Sequence, residues 1–234
     1  MSYPRFIGRL EETGRFVIEG DEFHHAKVRR IKQGDKVEIN TLGNGIYLCE
    51  VTKVEKGKII GSIIEPIPLV EEKVRITLYQ CVPNHLSKID NIIEPISELG
   101  VYELVPVLSA FSAIKEKDVL KKIKKWEKIA LNSIKQCKRA FPLKIEKPIK
   151  LVDIKPSHQW NIVFYEKSSQ KLACEKNNGI ENVGVLIGAE GGLTREEIEI
   201  LKKKGFEPFS LGRNILRLET AVVVGVCQVK FILD

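Results

Sequence analysis

Along the first seventy residues apolar positions alternate with polar ones in short runs: Arg15 to Glu19, Lys36 to Asn40, Ile46 to Val54 and Lys58 to Glu65. A period of two places every second side chain on one face of a strand. Gly34-Asp35, Gly43-Asn44-Gly45 and Lys56-Gly57 separate the runs with residues that adopt the positive φ of tight turns. Short strands at this spacing predict a small β-barrel, interrupted by one helical turn over Glu22 to Ile31. Two prolines in the stretch Pro66 to Lys73 resist both helix and central strand, which predicts a linker there.

Beyond it the period lengthens. Val74 to Val82 reads as a buried strand, and Leu86, Ile89, Ile92, Ile93, Ile96 and Leu99 share one face of a helix. Ser87 with Asp90 is expected to open that helix and Gly100 to end it, while Pro95 predicts a kink or a break. After a strand over Val101 to Leu108, Asp118 is expected to cap one long helix to about Arg139. Its stripe is Val119, Leu120, Ile123, Trp126, Ala130, Ile134 and Cys137, with Lys121, Lys122, Lys124, Lys125, Lys128, Lys135 and Lys138 on the other side. Strands follow at Asn161 to Tyr165, Val183 to Ile187 and Glu207 to Leu211. A helix over Arg195 to Lys204 carries a Thr194/Glu197 capping box and the stop Gly205. Glu219 to Leu233 is apolar nearly all round, and its length favours helix. Strand and helix in alternation predict an α/β fold with a mainly parallel sheet. Two domains result, residues 1–70 and 74–234.

The 234 residues are 43% hydrophobic, enough for a sizeable core and incompatible with disorder of the whole chain. The longest apolar stretch, Ala221 to Cys227, is too short to span a membrane, and the start lacks a signal-peptide core, so a cytoplasmic protein is expected. Cys49, Cys81, Cys137, Cys174 and Cys227 are scattered and odd in number, which reads as reduced thiols, mostly buried. No ligand spacing supports a metal, the pair His24-His25 included. Thirteen Lys or Arg against four Asp or Glu fall between Lys115 and Lys150, an excess of +9 in a chain of net charge +7. The basicity is concentrated, as for a protein that meets polyphosphate, although a solvated helix face would show the same run.

Leu186 to Gly192 forms a glycine-rich turn after a buried strand and before a capped helix, where ligands of parallel sheets bind. It lacks the spacing of the dinucleotide fingerprint and the Gly-Lys-Ser/Thr ending of a phosphate loop. Glu190 within it would repel phosphate, so a cofactor without phosphates, carrying a cationic centre, fits better. A second loop, Leu211 to Ala221, holds Arg217 and Glu219. Two such loops would form a pocket of backbone groups and a few charges, while each segment alone is also compatible with a tight turn or a surface ion pair.

The run Leu186 to Ile198, then Leu211-Gly212 and Ile215 to Ala221, closely resembles the 16S ribosomal RNA uridine-N3 methyltransferase family of the SPOUT superfamily. Phe23-His24-His25 with Val28-Arg29-Arg30, Glu98 to Val101, and Trp126 with Gln136, Arg139 and Pro142 extend the likeness over nearly the whole chain. The sequence departs from the family pattern at Pro95, Ala110, Phe111, Ala189 and Leu218. The resemblance implies an N-terminal PUA-like β-barrel that helps hold RNA and a C-terminal SPOUT domain with a trefoil knot. It also implies a homodimer that binds S-adenosylmethionine and methylates uridine N3 in 16S ribosomal RNA of the small subunit. Leu186, Gly188, Gly191, Leu211, Gly212, Ile215, Leu216 and Leu218 would contact the cofactor, largely through backbone. Arg217 would stabilise charge on the uracil, with Glu190 or Glu219 accepting its proton. His25, Arg29, Arg30, Lys121, Lys124, Lys125, Lys128 and Arg139 would meet the RNA. The rival readings are a methyltransferase with a different RNA target and a noncatalytic RNA-binding relative.

Overall fold

A computed structural model describes residues 3–12, 14–70, 72–155, 157–172 and 179–233. It divides into two units, residues 1–71 with 134–141, and residues 72–133 with 142–234.

The first unit holds β1 (Arg5–Ile7), β2 (Arg9–Leu10), β3 (Arg15–Glu19), α1 (Asp21–Val28), β4 (Lys36–Asn40), β5 (Ile46–Glu55) and β6 (Lys58–Ile67). The strands pair in the order β1-β4-β5-β6-β3-β2, antiparallel except for β1 with β4. β1 and β2 are too short to carry a visible period. Phe6, Phe16, Ile18, Val37, Ile39, Cys49 and Ile59 close the interior. Gly61 is required where β6 passes Phe16, because a Cβ would stand 2.1 Å from the Glu50 carbonyl oxygen and 2.3 Å from the Phe16 ring. The expected linker starts later than its prolines suggest: Pro66 and Ile67 extend β6, with Pro66 opposite Tyr47. β3 covers β6 only from Lys58 to Ser62, so Pro66 stands on an open edge where its missing N–H costs no ladder bond.

Residues 134–141 pack with this barrel. The Arg5 Nη1 donates to the carbonyls of Lys138 (2.5 Å) and Arg139 (3.0 Å), and the Asn40 amide donates to that of Ala140 (2.8 Å). Lys135 pairs with Glu22 at 2.5 Å and Lys138 with Glu38 at 2.8 Å. Lys135 is buried, and a buried cation persists only when matched. These two lysines therefore do not belong to an exposed basic face, as their helical spacing implied.

The remaining elements are β7 (Arg75–Cys81), α2 (Ser87–Glu98), β8 (Glu103–Leu108), α3 (Glu116–Leu120), α4 (Ile123–Cys137), β9 (Lys144–Ile145), β10 (Ile149–Lys150), β11 (Trp160–Phe164), β12 (Asn182–Ile187), α5 (Arg195–Lys203), β13 (Phe206–Phe209) and α6 (Leu218–Leu233). Their sheet runs β10-β8-β7-β12-β11-β13, with β9 beside β8, and every pairing is parallel. All these strands therefore end on the same side. α2 and α6 pack on one face over Ile92, Ile93, Val185, Val222 and Val226, and α5 covers the other over Val163, Leu186, Ile198 and Phe206. Gly225 admits the close approach of α6, since a Cβ there would meet Phe164 at 2.8 Å.

Several local expectations are corrected. Asp118 caps nothing: it lies inside α3 and accepts from Lys121 at 2.7 Å, and the predicted long helix is two, α3 and α4. Pro95 does not break α2, which runs to Glu98. The helix starts at Ser87 after Leu86, which offers no side-chain cap, and Asp90 is used elsewhere. Its carboxylate accepts the Trp126 indole N–H at 2.7 Å and the Lys125 ammonium at 2.6 Å, giving the fully buried Trp126 the partner it needs. Burial pushes the Asp90 carboxyl up, but the hydrogen bonds from Lys125 and Trp126 outweigh it and hold the group below the usual aspartate range. Thr194 and Glu197 do form the expected capping box on α5. Cys49 and Cys81 are buried and their thiols pushed up to about 12, Cys137 is half-buried, Cys227 is exposed, and Cys174 lies outside the described residues.

A group with a depressed folded pKa stabilises above its unfolded pKa, and that contribution is lost as pH falls through the folded value. Asp90→Ala, which orphans a buried indole N–H, should therefore cost about 2 kcal/mol in urea melts at pH 7. The deficit should shrink below about pH 4; a difference constant with pH would contradict a charged carboxylate in this role.

Candidate functional site

In the order β12-β11-β13 three neighbouring parallel strands end together, and three loops leave from that edge. The loop after β12 is the glycine-rich turn. The Gly192 N–H donates to the Ala189 carbonyl at 2.9 Å, with Gly192 at φ 71°, and a Cβ on Gly188 would press on the Gly192 backbone at 3.1 Å. A Cβ on Gly191 would meet the Phe111 ring at 2.9 Å. The turn needs its glycines for close approach.

The loop after β13 begins at Ser210, whose N–H donates to the Gln170 carbonyl at 2.7 Å. Its hydroxyl donates to the Gly212 carbonyl at 3.1 Å, and Gly212 sits at φ 137°. The loop after β11 is tied to the same strand by the Tyr165 N–H on the Phe209 carbonyl and the Ser168 hydroxyl on the Pro208 carbonyl. The β11 loop is thus tied to β13 and to the loop that follows it, while the glycine turn is closed by its own backbone bond.

Between them lies a cavity of about 530 Å³. Of the predicted cofactor residues, Gly188, Gly191, Leu211, Gly212, Ile215, Leu216 and Leu218 line it. Leu186 does not: it belongs to the core beneath α5, one residue before Ile187, where the lining on β12 begins. Sequence reading missed the β11 contribution, Phe164 to Lys167, although the rule that pointed to the other strand ends applies equally to this one. The lining is backbone and apolar side chains with polar Tyr165, Ser210 and Asn214, the carboxylates of Glu166 and Glu190 and the cations of Lys167 and Arg213. Nothing in it is a phosphate loop.

A second cleft of about 580 Å³ adjoins the first and shares Glu190, Ile215, Leu216 and Leu218 with it. Arg217 and Glu219 line this cleft, together with Thr220 and with Lys88 from the first turn of α2, a residue sequence reading passed over. Glu190 accepts the Asn84 N–H at 3.1 Å and pairs with Lys88 at 3.1 Å. Burial raises its carboxyl, yet these bonds and the backbone of its own turn outweigh burial and leave it below the ordinary range. Glu219 has no hydrogen-bonded or ion-paired partner among the described residues, and Arg217 is exposed.

The predicted RNA contacts are more dispersed. Arg29 and Arg30 are exposed at the end of α1, and Arg30 has φ 58°. His25 packs edge-on against Phe6, with Nδ1 buried and 3.9 Å from Glu22. Burial first and the Lys135 charge second lower its pKa, so it is neutral at pH 7 and brings no charge to a phosphate. Lys124 and Lys128 are exposed on α4, while Lys121 and Lys125 are exposed but paired with Asp118 and Asp90. Arg139 is half-buried.

Comparison with known proteins places the chain in a family. Residues 70–229 match the family model of an RNA methyltransferase domain, and residues 18–64 that of an RNA methyltransferase PUA domain. The chain is similar to ribosomal RNA small subunit methyltransferase E of Aquifex aeolicus, 36% identical over 93% of this chain and 95% of that one. The enzyme of the same name from Buchnera aphidicola (subsp. Acyrthosiphon pisum) is 30% identical over 92% and 87%. Among solved structures, ribosomal RNA small subunit methyltransferase E of Neisseria gonorrhoeae, bound to S-adenosyl methionine, shares the fold with a TM-score of 0.86 at 21% identity, over 99% of this chain and 98% of that one. The chain therefore belongs to the RNA methyltransferases that carry a PUA domain.

Proposed function

We propose that the protein transfers a methyl group from S-adenosylmethionine to N3 of a uridine in 16S ribosomal RNA of the small subunit. The observation that carries this reading is the shared wall: the glycine-turn cavity opens beside a cleft holding Arg217 and Glu219, with Glu190, Ile215, Leu216 and Leu218 common to both. The names of the Aquifex and Buchnera relatives, and the cofactor bound in the Neisseria enzyme, support it.

The cavity suits the cofactor. Gly188, Gly191, Leu211, Gly212, Ile215, Leu216 and Leu218 present backbone and apolar surface to an uncharged adenosine, and glycines leave room where side chains would fill it. Glu166 and Glu190 complement a cation, and Lys167 and Arg213 an amino-acid carboxylate. When bound, S-adenosylmethionine supplies a methyl on a sulfonium centre, which leaves with the old S–C electron pair on sulfur while the N3 pair forms the new bond.

The chain's own residues must make N3 nucleophilic. Uracil N3 carries a proton, and its removal leaves an anion spread over O2, N3 and O4. Arg217 donates to that developing charge. Of the two carboxylates, Glu219 takes the proton, because both oxygens of Glu190 are already committed to Lys88 and the Asn84 N–H. The PUA-like barrel of residues 1–70 grips RNA through Arg29 and Arg30, and the methyltransferase domain of residues 74–234 adds Lys124 and Lys128, with Lys121, Lys125, Arg139 and a neutral His25 as lesser contacts. The methyltransferase domain carries a trefoil knot whose loops hold the cofactor, a reading supported by its match to the RNA methyltransferase family. The protein acts in the cytoplasm as a homodimer; exposed Phe231 and Cys227 on the apolar α6 favour a second copy as its cover, and no described helix is long and apolar enough to cross a membrane.

Methylation of assembled small subunits and of naked RNA, read by mass spectrometry of nucleosides, tests the activity: N3-methyluridine is expected, and its absence from both substrates rejects the reading. Arg217→Ala should keep cofactor affinity in calorimetry yet lose about 100-fold or more in turnover; unchanged turnover removes Arg217 from the role. Reversing the charge of Lys121, Lys124, Lys125 and Lys128 should weaken RNA binding and flatten its salt dependence while sparing the cofactor, whereas an unchanged salt slope would make α4 a plain solvated face.

A further inference from the structure

We infer that Lys88 is a second catalytic cation, one that recognises the uracil imide together with Arg217 from a different element of the cleft; this rests on the proposed N3 chemistry. Three observations point to it. Lys88 sits in the first turn of α2, where the helix dipole disfavours positive charge, so local helix energetics do not explain a lysine here. Its ammonium is held 3.1 Å from Glu190, a residue of the glycine turn that lines both cavities. Lys88 and Arg217 are the cations that line the cleft, on walls supplied by different elements.

The chemistry needs two donors. N3 of uracil lies between two carbonyls, and when the N3–H bond breaks, the proton passing to the Glu219 carboxylate, the electron pair spreads toward both O2 and O4. A single arginine reaches one of these oxygens. A cation from a different element of the cleft stabilises the other, and together they make the imide acidic enough for an ordinary carboxylate to deprotonate. The same arrangement rejects cytosine, whose amino group at C4 would point a donor at a donor. Glu190 then serves as a positioning residue: its pair with Lys88 holds the ammonium in the cleft.

The test compares Lys88→Met and Lys88→Arg with the wild-type protein on ribosomal RNA. Lys88→Met should reduce kcat by about 100-fold with the S-adenosylmethionine dissociation constant within about twofold, and Lys88→Arg should recover at least a tenth of the rate. RNA carrying 5-fluorouridine, whose N3–H is more acidic, should narrow the gap between wild type and Lys88→Met. The inference is overturned if Lys88→Met turns over within threefold of wild type. It is also overturned if the loss appears as weakened cofactor binding, as expected for a lysine that only braces the turn through Glu190, or if 5-fluorouridine leaves the gap unchanged. Failure of the wild-type protein to form N3-methyluridine would instead reject the underlying reading, so the two outcomes are distinct.

Discussion

Parallel pairing of β12 with both β7 and β11, continued from β11 to β13, is the constraint on which the site depends. In a parallel sheet every strand delivers its carboxyl end to the same edge, and the chain must cross the sheet to start the next strand. Loops from residues 165, 188 and 210 onward, far apart in the chain, are thereby brought side by side. The edge itself is held by main-chain bonds, such as the Tyr165 N–H on Phe209 and the Ser210 N–H on Gln170, which do not depend on side-chain identity. That is the setting in which a cavity can be lined by backbone and glycine and still keep its shape.

Charge enters this frame sparingly and in pairs. Glu190 is fastened to Lys88 and Asn84, Asp90 to Trp126 and Lys125, Lys135 to Glu22, and Arg5 to Glu38. Each pair relieves the cost of desolvating a charged group. Among the described residues, Glu219 and Arg217 in the cleft, and Arg29, Arg30 and Lys124 on the surface, are among the charged groups without an ion-pair partner. A run of thirteen basic residues therefore overstates the positive surface, since Lys121, Lys125, Lys135, Lys138 and Lys144 each have a carboxylate partner.

Much of the site was legible beforehand because its signals are local. The glycine turn sits directly after a strand and before the Thr194/Glu197 capping box, and both features are contiguous in the chain. Lys88 and the β11 loop escaped for the opposite reason: neither carries a local motif, and both come to line the cavities only because β11 lies between β12 and β13 and α2 packs beside α6. Asp90 illustrates the same limit. As a polar residue in a helix's first turn it reads as a cap, yet the indole of Trp126, 36 residues onward, claims its carboxylate. A buried N–H without a partner costs more than an uncapped helix start, so the long-range bond prevails.

The sequence by itself determined the element types, the alternation that makes the sheet parallel, the glycine turn and the two charged residues after it, and through these motifs the enzyme family. Those properties are set by periods, caps and φ preferences that act within a few residues. Tertiary structure alone decided the strand order, the two adjoining cavities at the carboxyl edge of the sheet, which carboxylate is free and which is bound, and which lysines are exposed. Such choices depend on residues that meet only after the backbone has paired and buried groups have found their partners.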